Sequence, residues 1–217
     1  LQDSHVQKLC GVAFRTGTLN NRKVVLARSG IGKVNAAVTA TLLIEHFKPA
    51  EILFTGTAGG LNPELLPGDI VIGEKTVQHD FGEITKKGFR LWSPVRLPDG
   101  KQMAFFPASP PLLAMAETAA RELTFQKIPT ADGERVPKVR RGVIATGDVF
   151  VASFARKAEL HQKLNADAVE MEGAAIAQVC WQQNVPCLVI RSLSDRADGA
   201  ANEDFKRFVN VASDNSA

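Results

Sequence analysis

The sequence contains few of the residues that build disulfide frameworks and metal centres. It has only three cysteines and four histidines in 217 residues. No cysteine lies in a C-x-x-C pair, and Cys180 and Cys187 stand in apolar surroundings that favour small buried thiols over ligands or nucleophiles. The histidines show no metal-ligand spacing. We therefore expect no metal site and a reducing compartment, the cytoplasm.

Long apolar runs and concentrated charge are also missing. No apolar run approaches the length that crosses a membrane, and the net charge of +3 is spread along the chain. The densest basic segment, 138–141 (KVRR), has no interleaved aromatic residues, so it predicts a solvated loop and not a nucleic-acid patch. The sequence thus predicts neither a membrane nor a nucleic-acid partner.

The length and composition suit one globular domain spanning residues 1–217, with 45% hydrophobic and 23% charged residues. Neither terminus has the pattern of a natural end. Leu1 is not an initiator methionine, and a helix that starts near Asn202 has little chain left to complete it. We expect a first strand and the end of the last helix to lie outside this sequence.

Short β-branched runs alternate with helical segments. The runs that predict strands cover residues 23–27, 51–55, 70–73, 142–146, 166–171 and 186–192. The segments that predict helices cover 33–47, which is apolar almost all round and should be buried, and 112–123, 154–164 and 173–183. Segments 89–111 and 127–138 predict loops. The alternation predicts an α/β layered domain with a mostly parallel sheet.

Two glycine-rich segments follow predicted strands. Segment 30–35 (GIGKVN) fails the dinucleotide fingerprint at Asn35, and it fails the phosphate-loop pattern at Ala27 and Val34. It predicts a tight strand-to-helix turn that brings backbone close to a small ligand. Segment 56–60 (GTAGG) predicts either a flexible turn or a place where backbone amides and the Thr57 hydroxyl approach a ligand.

Two carboxylates, Glu172 and Asp195, each follow an apolar run that predicts a buried strand. Taken singly, Glu172 could be a first-turn helix acid, and Asp195 could be an N-cap or an ion-pair partner of Arg191 or Arg196. A carboxylate at the end of a buried strand is costly unless it is hydrogen-bonded or used. Because ligands bind near the carboxyl ends of strands in open α/β sheets, the two acids and the glycine-rich strand end together predict an active site.

Six motifs that occur in order carry a family resemblance. They are 29–37 (SGIGKVNAA), 55–61 (TGTAGGL), 68–71 (GDIV), 146–150 (TGDVF), 169–172 (VEME) and 194–195 (SD). With these motifs the sequence closely resembles the methylthioadenosine/S-adenosylhomocysteine nucleosidases of the nucleoside phosphorylase superfamily. The resemblance implies a three-layer fold of the nucleoside phosphorylase type, with a mixed, mostly parallel central sheet flanked by helices. It also implies cleavage of the N-glycosidic bond of a purine nucleoside without a cofactor.

The resemblance also implies roles for individual residues. Asp195 matches the acid that protonates or hydrogen-bonds purine N7, and Glu172 matches the acid that grips the ribose hydroxyls. Phe150 matches the aromatic that stacks on adenine, and Val151 the residue whose backbone reads the purine edge. The other implied substrate-binding residues are Met171, Ile31 and Thr57 near the sugar, Arg191, which orients Glu172, and the motif residues Ala58, Gly59, Glu170 and Ser194.

Phe54 bears on whether the chain is a hydrolase or a phosphorylase. Related phosphorylases carry an arginine, which holds phosphate, three residues before the small hydroxyl residue. Here that position is Phe54, which cannot bind a phosphate dianion, so the resemblance implies water as the nucleophile. A phosphate-dependent phosphorylase is the alternative within the same class.

The sequence departs from the family pattern near its N-terminus. The hydrolases have an N-terminal strand whose glutamate activates the water, and nothing in residues 1–11 supplies it; the context of Asp3 does not match. Either the sequence begins after that strand, which we favour, or the protein is a non-catalytic nucleoside-binding protein.

The segment 81–106 is the second departure, because it does not align securely with the family. The corresponding family region helps to form the pocket for the 5′ substituent, partly from a neighbouring subunit, which implies a homodimer. Pro98, Phe105 and Phe106 are the candidates here. Substrate choice stays open among methylthioadenosine, S-adenosylhomocysteine, 5′-deoxyadenosine and aminofutalosine-type nucleosides.

Overall fold

The chain begins with three strands and then mixes strands and helices to its end. The computed structural model describes residues 1–96, 99–130 and 133–216. Its strands are β1 (Gln2–Leu9), β2 (Val12–Leu19), β3 (Arg22–Ala27), β4 (Ile52–Gly60), β5 (Ile70–Gln78), β6 (Gly82–Thr85), β7 (Gly88–Leu91), β8 (Val95–Arg96), β9 (Gln102–Met103), β10 (Phe105–Pro107), β11 (Ile128–Thr130), β12 (Gly133–Arg135), β13 (Val139–Thr146), β14 (Ala166–Glu170) and β15 (Cys187–Asp195). Its helices are α1 (Lys33–Phe47), α2 (Pro110–Glu122), α3 (Phe154–Leu164), α4 (Gly173–Gln182) and α5 (Ala201–Ser216).

Six strands form the central sheet in the order β10-β5-β13-β14-β4-β15, and β15 also pairs with β5. The sheet therefore closes on itself as a five-stranded ring with β10 at its side. Three of the six pairings are parallel and three are antiparallel. The prediction of a mostly parallel sheet is wrong, because alternation of strands and helices does not specify which strands become neighbours. Strand β14, for example, meets β4 antiparallel at Gly59 and Gly60.

Helices cover both faces of this sheet. Helices α1 and α4 share one hydrophobic cluster with Val71 and Val189. Helix α2 packs in another cluster with Ile72 and Leu188, the sequence neighbours of those two valines. Because successive side chains of a strand point to opposite faces, the two clusters lie on opposite sides of the sheet. The result is an α/β fold with a mixed sheet between helices.

The sequence predicted that helix α1 is buried all round, and this prediction is wrong. Ala36, Ala40 and Ile44 face the core, while Val34 is 74% exposed and Val38 is 43% exposed. The apolar residues of its outer face therefore have no cover within the described chain. None of the described helices is long and apolar enough to cross a membrane.

Several strands extend further than the sequence predicted, among them β4 and β15. Segment 56–60 is not a turn but the second half of β4, where Gly56 pairs with Arg191 and Gly59 with Asp195 of β15. Strand β15 likewise continues past Ser192 to Asp195. Glycine has a low strand propensity, so the local sequence predicts that β4 ends before Gly56. Pairing with the neighbouring strand β15 keeps the glycine-rich backbone extended beyond that point.

Several short antiparallel pairings were missed. Strands β1, β2 and β3 form a separate three-stranded sheet, and the segments predicted as loops contain the short strands β7 to β10 and the hairpin of β11 and β12. Strand β1 is exposed at almost every position, so it lacks the apolar alternation used to find strands. The turn between β1 and β2 does carry a sequence signal, which is Gly11. Cys10 and Gly11 both have positive φ (48° and 82°), as a two-residue hairpin turn requires.

The charged side chains of the basic segment 138–141 are exposed, as predicted, but the segment is not a loop. Strand β13 begins at Val139, Arg140 pairs with Glu64 at 2.9 Å, and Arg141 pairs with Glu74 at 2.9 Å. The charges predicted to face solvent therefore tie β13 to neighbouring segments.

Asp69 is the buried carboxylate that joins the start of β5 to the start of β13. One oxygen accepts hydrogen bonds from Lys138 N at 2.8 Å and from Arg135, and the other accepts from Leu66 N at 2.8 Å. The side chain is fully buried. Both oxygens thus act as acceptors, which a neutral amide could not reproduce.

We predict that Asp69→Asn destabilises the fold by about 2 kcal/mol, the scale of a lost hydrogen bond to a charged group. In either orientation of the new asparagine side chain, its amide nitrogen, which is a donor, would face another donor in place of an acceptor. Thermal unfolding followed by circular dichroism measures the effect. Asp99→Asn is the matched control, because Asp99 is exposed and its carboxylate accepts from Lys101 and from its own backbone N–H. Equal Tm values for the two variants would contradict the prediction.

Candidate active site

The two acids identified from the sequence lie at the ends of strands that flank a third. Glu172 stands in the turn between β14 and α4, and Asp195 is the last residue of β15. Strand β4 lies between β14 and β15, and its Gly59 pairs with Val169 on one side and with Asp195 on the other. The glycine-rich end of β4 therefore separates the two acids.

Glu172 is held by the N-terminus of α1. Gly32 N donates to Glu172 Oε1 at 2.8 Å, and Gly32 directly precedes α1, so the carboxylate meets the positive end of the helix dipole. Burial raises the pKa of Glu172, and the Gly32 N–H offsets part of this rise. About 15% of the side chain is exposed, and its Oε2 lies 3.6 Å from Arg191 Nη2.

Glu170 lies beneath this acid and is enclosed by protein donors. Its carboxylate accepts hydrogen bonds from the Thr146 hydroxyl, from Gly173 N at 2.7 Å and from Glu172 N at 3.0 Å. It also pairs with the Arg191 guanidinium, and both side chains are only 2% exposed. The Glu170 side chain therefore fixes the turn that carries Glu172.

Arg191 joins both glutamates to the middle of β4. Its guanidinium pairs with Glu170, lies 3.6 Å from Glu172 Oε2, and stacks 4.2 Å from the Phe54 ring centroid. A side chain at Gly56 would lie 2.5 Å from Arg191 Nη1, so only glycine leaves room for this arrangement. The resemblance implied that Arg191 orients Glu172; in the structure its principal partner is Glu170.

Asp195 is 2% exposed and accepts two hydrogen bonds. Ala197 N donates to Oδ1 at 2.8 Å, and the Ser194 hydroxyl lies 2.9 Å from Oδ2. Burial raises the pKa of Asp195, and these two donors offset part of the rise. A Cβ at Gly59 would lie 2.8 Å from Asp195 Oδ1, so β4 approaches this acid as closely as backbone allows. A carboxyl group with a raised pKa is suited to give a proton to a leaving group.

An aromatic pair lies beside the two acids. Phe150 follows β13, whose Thr146 is paired with Glu170, and it is 48% exposed. Its ring meets Phe205 of α5 edge-to-face, with centroids 6.3 Å apart. Val151 is buried in the cluster that also contains Val169. Phe150 thus presents a partly open ring face, as a base-stacking residue needs.

The remaining predicted site residues lie on the same strands and loops. Met171, between Glu170 and Glu172, is half-buried, Thr57 is half-buried on β4, and Ala58 is buried beside it. Ile31, in the turn before α1, is 74% exposed. Among the described residues no group of three His, Cys, Asp or Glu side chains could hold a metal ion.

Sequence reasoning missed three polar residues and one aromatic near these loops. Asp148 accepts from Lys33 N at 2.7 Å, and Lys33 Nζ lies 2.6 Å from Asp80 Oδ1. Lys33 and Asp148 stand inside two of the quoted motifs, so that signal was available, whereas nothing marks Asp80. Phe205 is one of several large apolar residues of α5, so nothing in the local sequence distinguishes it.

Residues 81, 90–93 and 102 line an open cavity of about 520 Å³. Phe81 and Trp92 line it and meet edge-to-face, with ring centroids 6.2 Å apart. Of the residues proposed for the 5′ pocket, Phe106 is 1% exposed and belongs to a core cluster, and Phe105 is half-buried. Pro98 lies outside the described residues.

Comparisons with known proteins agree with this geometry. The family model described as the phosphorylase superfamily matches residues 3–217. A 5′-methylthioadenosine/S-adenosylhomocysteine nucleosidase of Mycobacterium bovis is 40% identical over 221 residues, which cover 100% of this chain and 87% of that protein.

Solved structures give the same result. The 5′-methylthioadenosine/S-adenosylhomocysteine nucleosidase of Neisseria meningitidis, in complex with methylthio-immucillin-A, is 36% identical with a TM-score of 0.83, covering 99% of this chain and 86% of that one. The futalosine hydrolase of Helicobacter pylori is 34% identical with a TM-score of 0.82, covering 99% and 84%. Two differently named activities thus share this fold at similar identity.

The raised pKa of Asp195 predicts a pH-dependent change in stability when the charge is removed. A group whose pKa is higher in the folded state stabilises the fold below its unfolded pKa and loses that contribution as pH rises through its folded pKa. Asp195→Asn does not titrate, so its Tm relative to wild type should rise between pH 4 and pH 8, by about 2–4 °C for each kcal/mol. Scanning calorimetry across this range measures the difference; a difference independent of pH would contradict the raised pKa.

Proposed function

The chain belongs to the phosphorylase superfamily, and from that premise we propose that it hydrolyses the N-glycosidic bond of an adenine nucleoside of the methylthioadenosine type. The products are adenine and the 5′-substituted ribose. The observation that carries the proposal is the pair of acids with raised pKa values, Glu172 and Asp195, on either side of the glycine end of β4.

Asp195 protonates the leaving base. As the bond between C1′ and N9 breaks, its electron pair moves onto the purine, and the proton of Asp195 passes to N7. Ala197 N and the Ser194 hydroxyl then stabilise the carboxylate that remains. Phe150 stacks on the adenine ring, and the backbone of Val151 reads its edge.

Glu172 binds the ribose hydroxyls and stabilises the positive charge that develops on the sugar. Its Oε1 accepts a hydrogen bond from Gly32 N, and we assign the ribose hydroxyls to Oε2, which lies 3.6 Å from Arg191 Nη2. Met171, Ile31 and Thr57 surround the sugar in this assignment. Glu170 contributes from below, by holding Glu172 and Arg191 in place.

Water is the nucleophile in this proposal. Arg191 is the cation beside β4, and its guanidinium is already paired with Glu170 and stacked on Phe54, so it is committed before a phosphate could bind. Water adds to C1′, and the proton that it loses passes to surrounding water. No described residue is assigned as a base for this proton, and Asp3 lies exposed on β1.

A homodimer supplies the cover for α1 and closes the pocket for the 5′ substituent. Ile31, Val34 and Val38 lie on one exposed face of α1 and its entry turn, and Val149, 50% exposed, follows the Asp148 that binds Lys33 N. A second copy of the chain is the partner we propose for this apolar surface. The cytoplasm remains the proposed compartment, on the cysteine pattern of the sequence.

Asp195→Asn should lower the rate of adenine release by about 10²- to 10⁴-fold, the contribution expected of a general acid. The assay incubates the protein with methylthioadenosine in phosphate-free buffer and quantifies adenine and methylthioribose. Asp214→Asn is the control, because Asp214 is an exposed acid of α5.

The outcomes separate the competing functions. Release without phosphate supports the hydrolase, whereas release only with phosphate identifies a phosphorylase. Binding of methylthioadenosine without release in either buffer identifies a nucleoside-binding protein. Near-wild-type turnover by Asp195→Asn would contradict the assignment of Asp195 as the general acid.

Val34→Lys should convert the dimer into a monomer, because it places a charge in the apolar face of α1. Light scattering after size-exclusion chromatography measures the mass. KM for methylthioadenosine should rise in the same variant if the partner closes the 5′ pocket. Leu123→Lys, at an exposed position after α2, is the control and should stay dimeric; a monomeric wild-type protein would contradict the proposal.

A further inference from the structure

The ammonium group of Lys33 lies where three segments of the site meet. Lys33 Nζ donates to Asp80 Oδ1 at 2.6 Å and to Gln78 Oε1 at 3.2 Å, and it lies 4.0 Å from Asp148 Oδ2. Its side chain is 18% exposed, so these contacts are partly shielded from water. Lys33 is also the first residue of α1, whose entry turn holds Glu172.

We propose that Lys33, acting through Asp80 and Asp148, is a positioning residue that holds the ribose-binding and adenine-binding loops in register. The inference rests on the proposed function and extends it to side chains that do not touch the substrate. The loops concerned are the turn at 29–33 and the segment at 147–151, which carries Phe150.

One closed ring of contacts links the two loops to each other. Lys33 N donates to Asp148 Oδ1 at 2.7 Å, Asp148 N donates to Asp80 Oδ2 at 2.8 Å, and Asp80 Oδ1 accepts from Lys33 Nζ. Because each member contacts the other two, the position of one loop fixes that of the other. Asp148 also supplies the N-terminal cap that α1 lacks, since no side chain of its own caps that helix.

A second ring shares Lys33 and reaches the helix that follows Glu172. Lys33 Nζ binds Gln78, and Gln78 Nε2 donates to Gln178 Oε1 of α4 at 2.6 Å. Helix α4 begins directly after Glu172, and Glu172 returns to α1 through Gly32 N. The position and orientation of Glu172 are therefore constrained on two sides, by α1 through Gly32 N and by α4, which begins directly after it.

Charge balance explains why a cation is needed at this point. Asp80 and Asp148 approach each other through the Asp148 N–H, and Lys33 is the ammonium group that contacts both. Although burial acts to raise the pKa of Asp80, its hydrogen bonds from Lys33 and Asp148 lower it overall. The neighbouring Arg156 does not replace Lys33, because it is paired with Glu159.

The same contacts extend to the cavity in segment 81–106. Phe81 directly follows Asp80 and lines the cavity, and its carbonyl accepts a hydrogen bond from Trp92 N at 2.9 Å. Lys33 thus links the parts of the site assigned to ribose and to adenine with the hairpin that borders the cavity.

Lys33→Met tests the proposal, because it removes the charge and keeps the length of the side chain. It should lower kcat/KM for methylthioadenosine about 10- to 100-fold, as expected for substrate groups displaced by an ångström, at temperatures well below its Tm. Asp80→Asn keeps the acceptor for Asp148 N and loses the charge. The double variant should be no worse than Lys33→Met alone, because residues that act as one unit are not additive.

Lys163→Met is the matched control, since Lys163 forms an exposed pair with Glu159. It should leave kcat and KM unchanged. If Lys33→Met lowers only the Tm and leaves kcat/KM at the wild-type value, Lys33 is a structural residue and the proposal is overturned. Full additivity in the double variant would also overturn it.

Amide hydrogen exchange distinguishes failure of this inference from failure of the proposed function. Absence of adenine release by the wild-type protein would reject the function alone. The amides of Gly32 and Lys33 donate to Glu172 and Asp148, so their protection in Lys33→Met should fall about tenfold through local opening. Unchanged protection in this variant would overturn the positioning role whatever the activity.

Discussion

The buried ion pair between Arg191 and Glu170 is the interaction on which the site depends. Both side chains are 2% exposed, and two charges removed from water are costly unless every polar atom finds a partner. Thr146 and the backbone of the α4 entry turn satisfy Glu170, while Phe54 covers the guanidinium. The pair thereby links the end of β14 to the middle of β15, and it supports the turn from which Glu172 projects.

The carboxylates of this protein fall into two groups that differ in the number of donors around them. Asp69 and Asp167 each have three protein donors; those of Asp167 are Asn62 Nδ2 at 2.7 Å, Val143 N at 3.1 Å and Arg140 Nε at 3.1 Å. Glu172 and Asp195 have fewer protein donors, and burial raises their pKa values. The first group joins strands, while the second retains capacity for a ligand, which is why we assign the chemistry to it.

Local sequence predicted most of the longer elements and missed several short or exposed ones. The helices at α1, α3 and α4 are confirmed within a residue or so of the predicted bounds. Strand β1 was missed because its residues are exposed, and the second half of β4 was missed because glycine has no side chain to create a pattern. The family resemblance is confirmed by the matching family model and by the relatives.

The sequence by itself predicted the candidate site side chains, since its motifs single out Glu172, Asp195 and Phe54 without any coordinates. Tertiary structure alone decided how the sheet closes, that Glu170 supports Glu172, and that one face of α1 stays uncovered. The physical reason is chain distance. Gly32 and Glu172 are 140 positions apart, so neither local propensity nor periodicity can specify their hydrogen bond, and the pKa of each acid depends on burial that exists only after those segments meet.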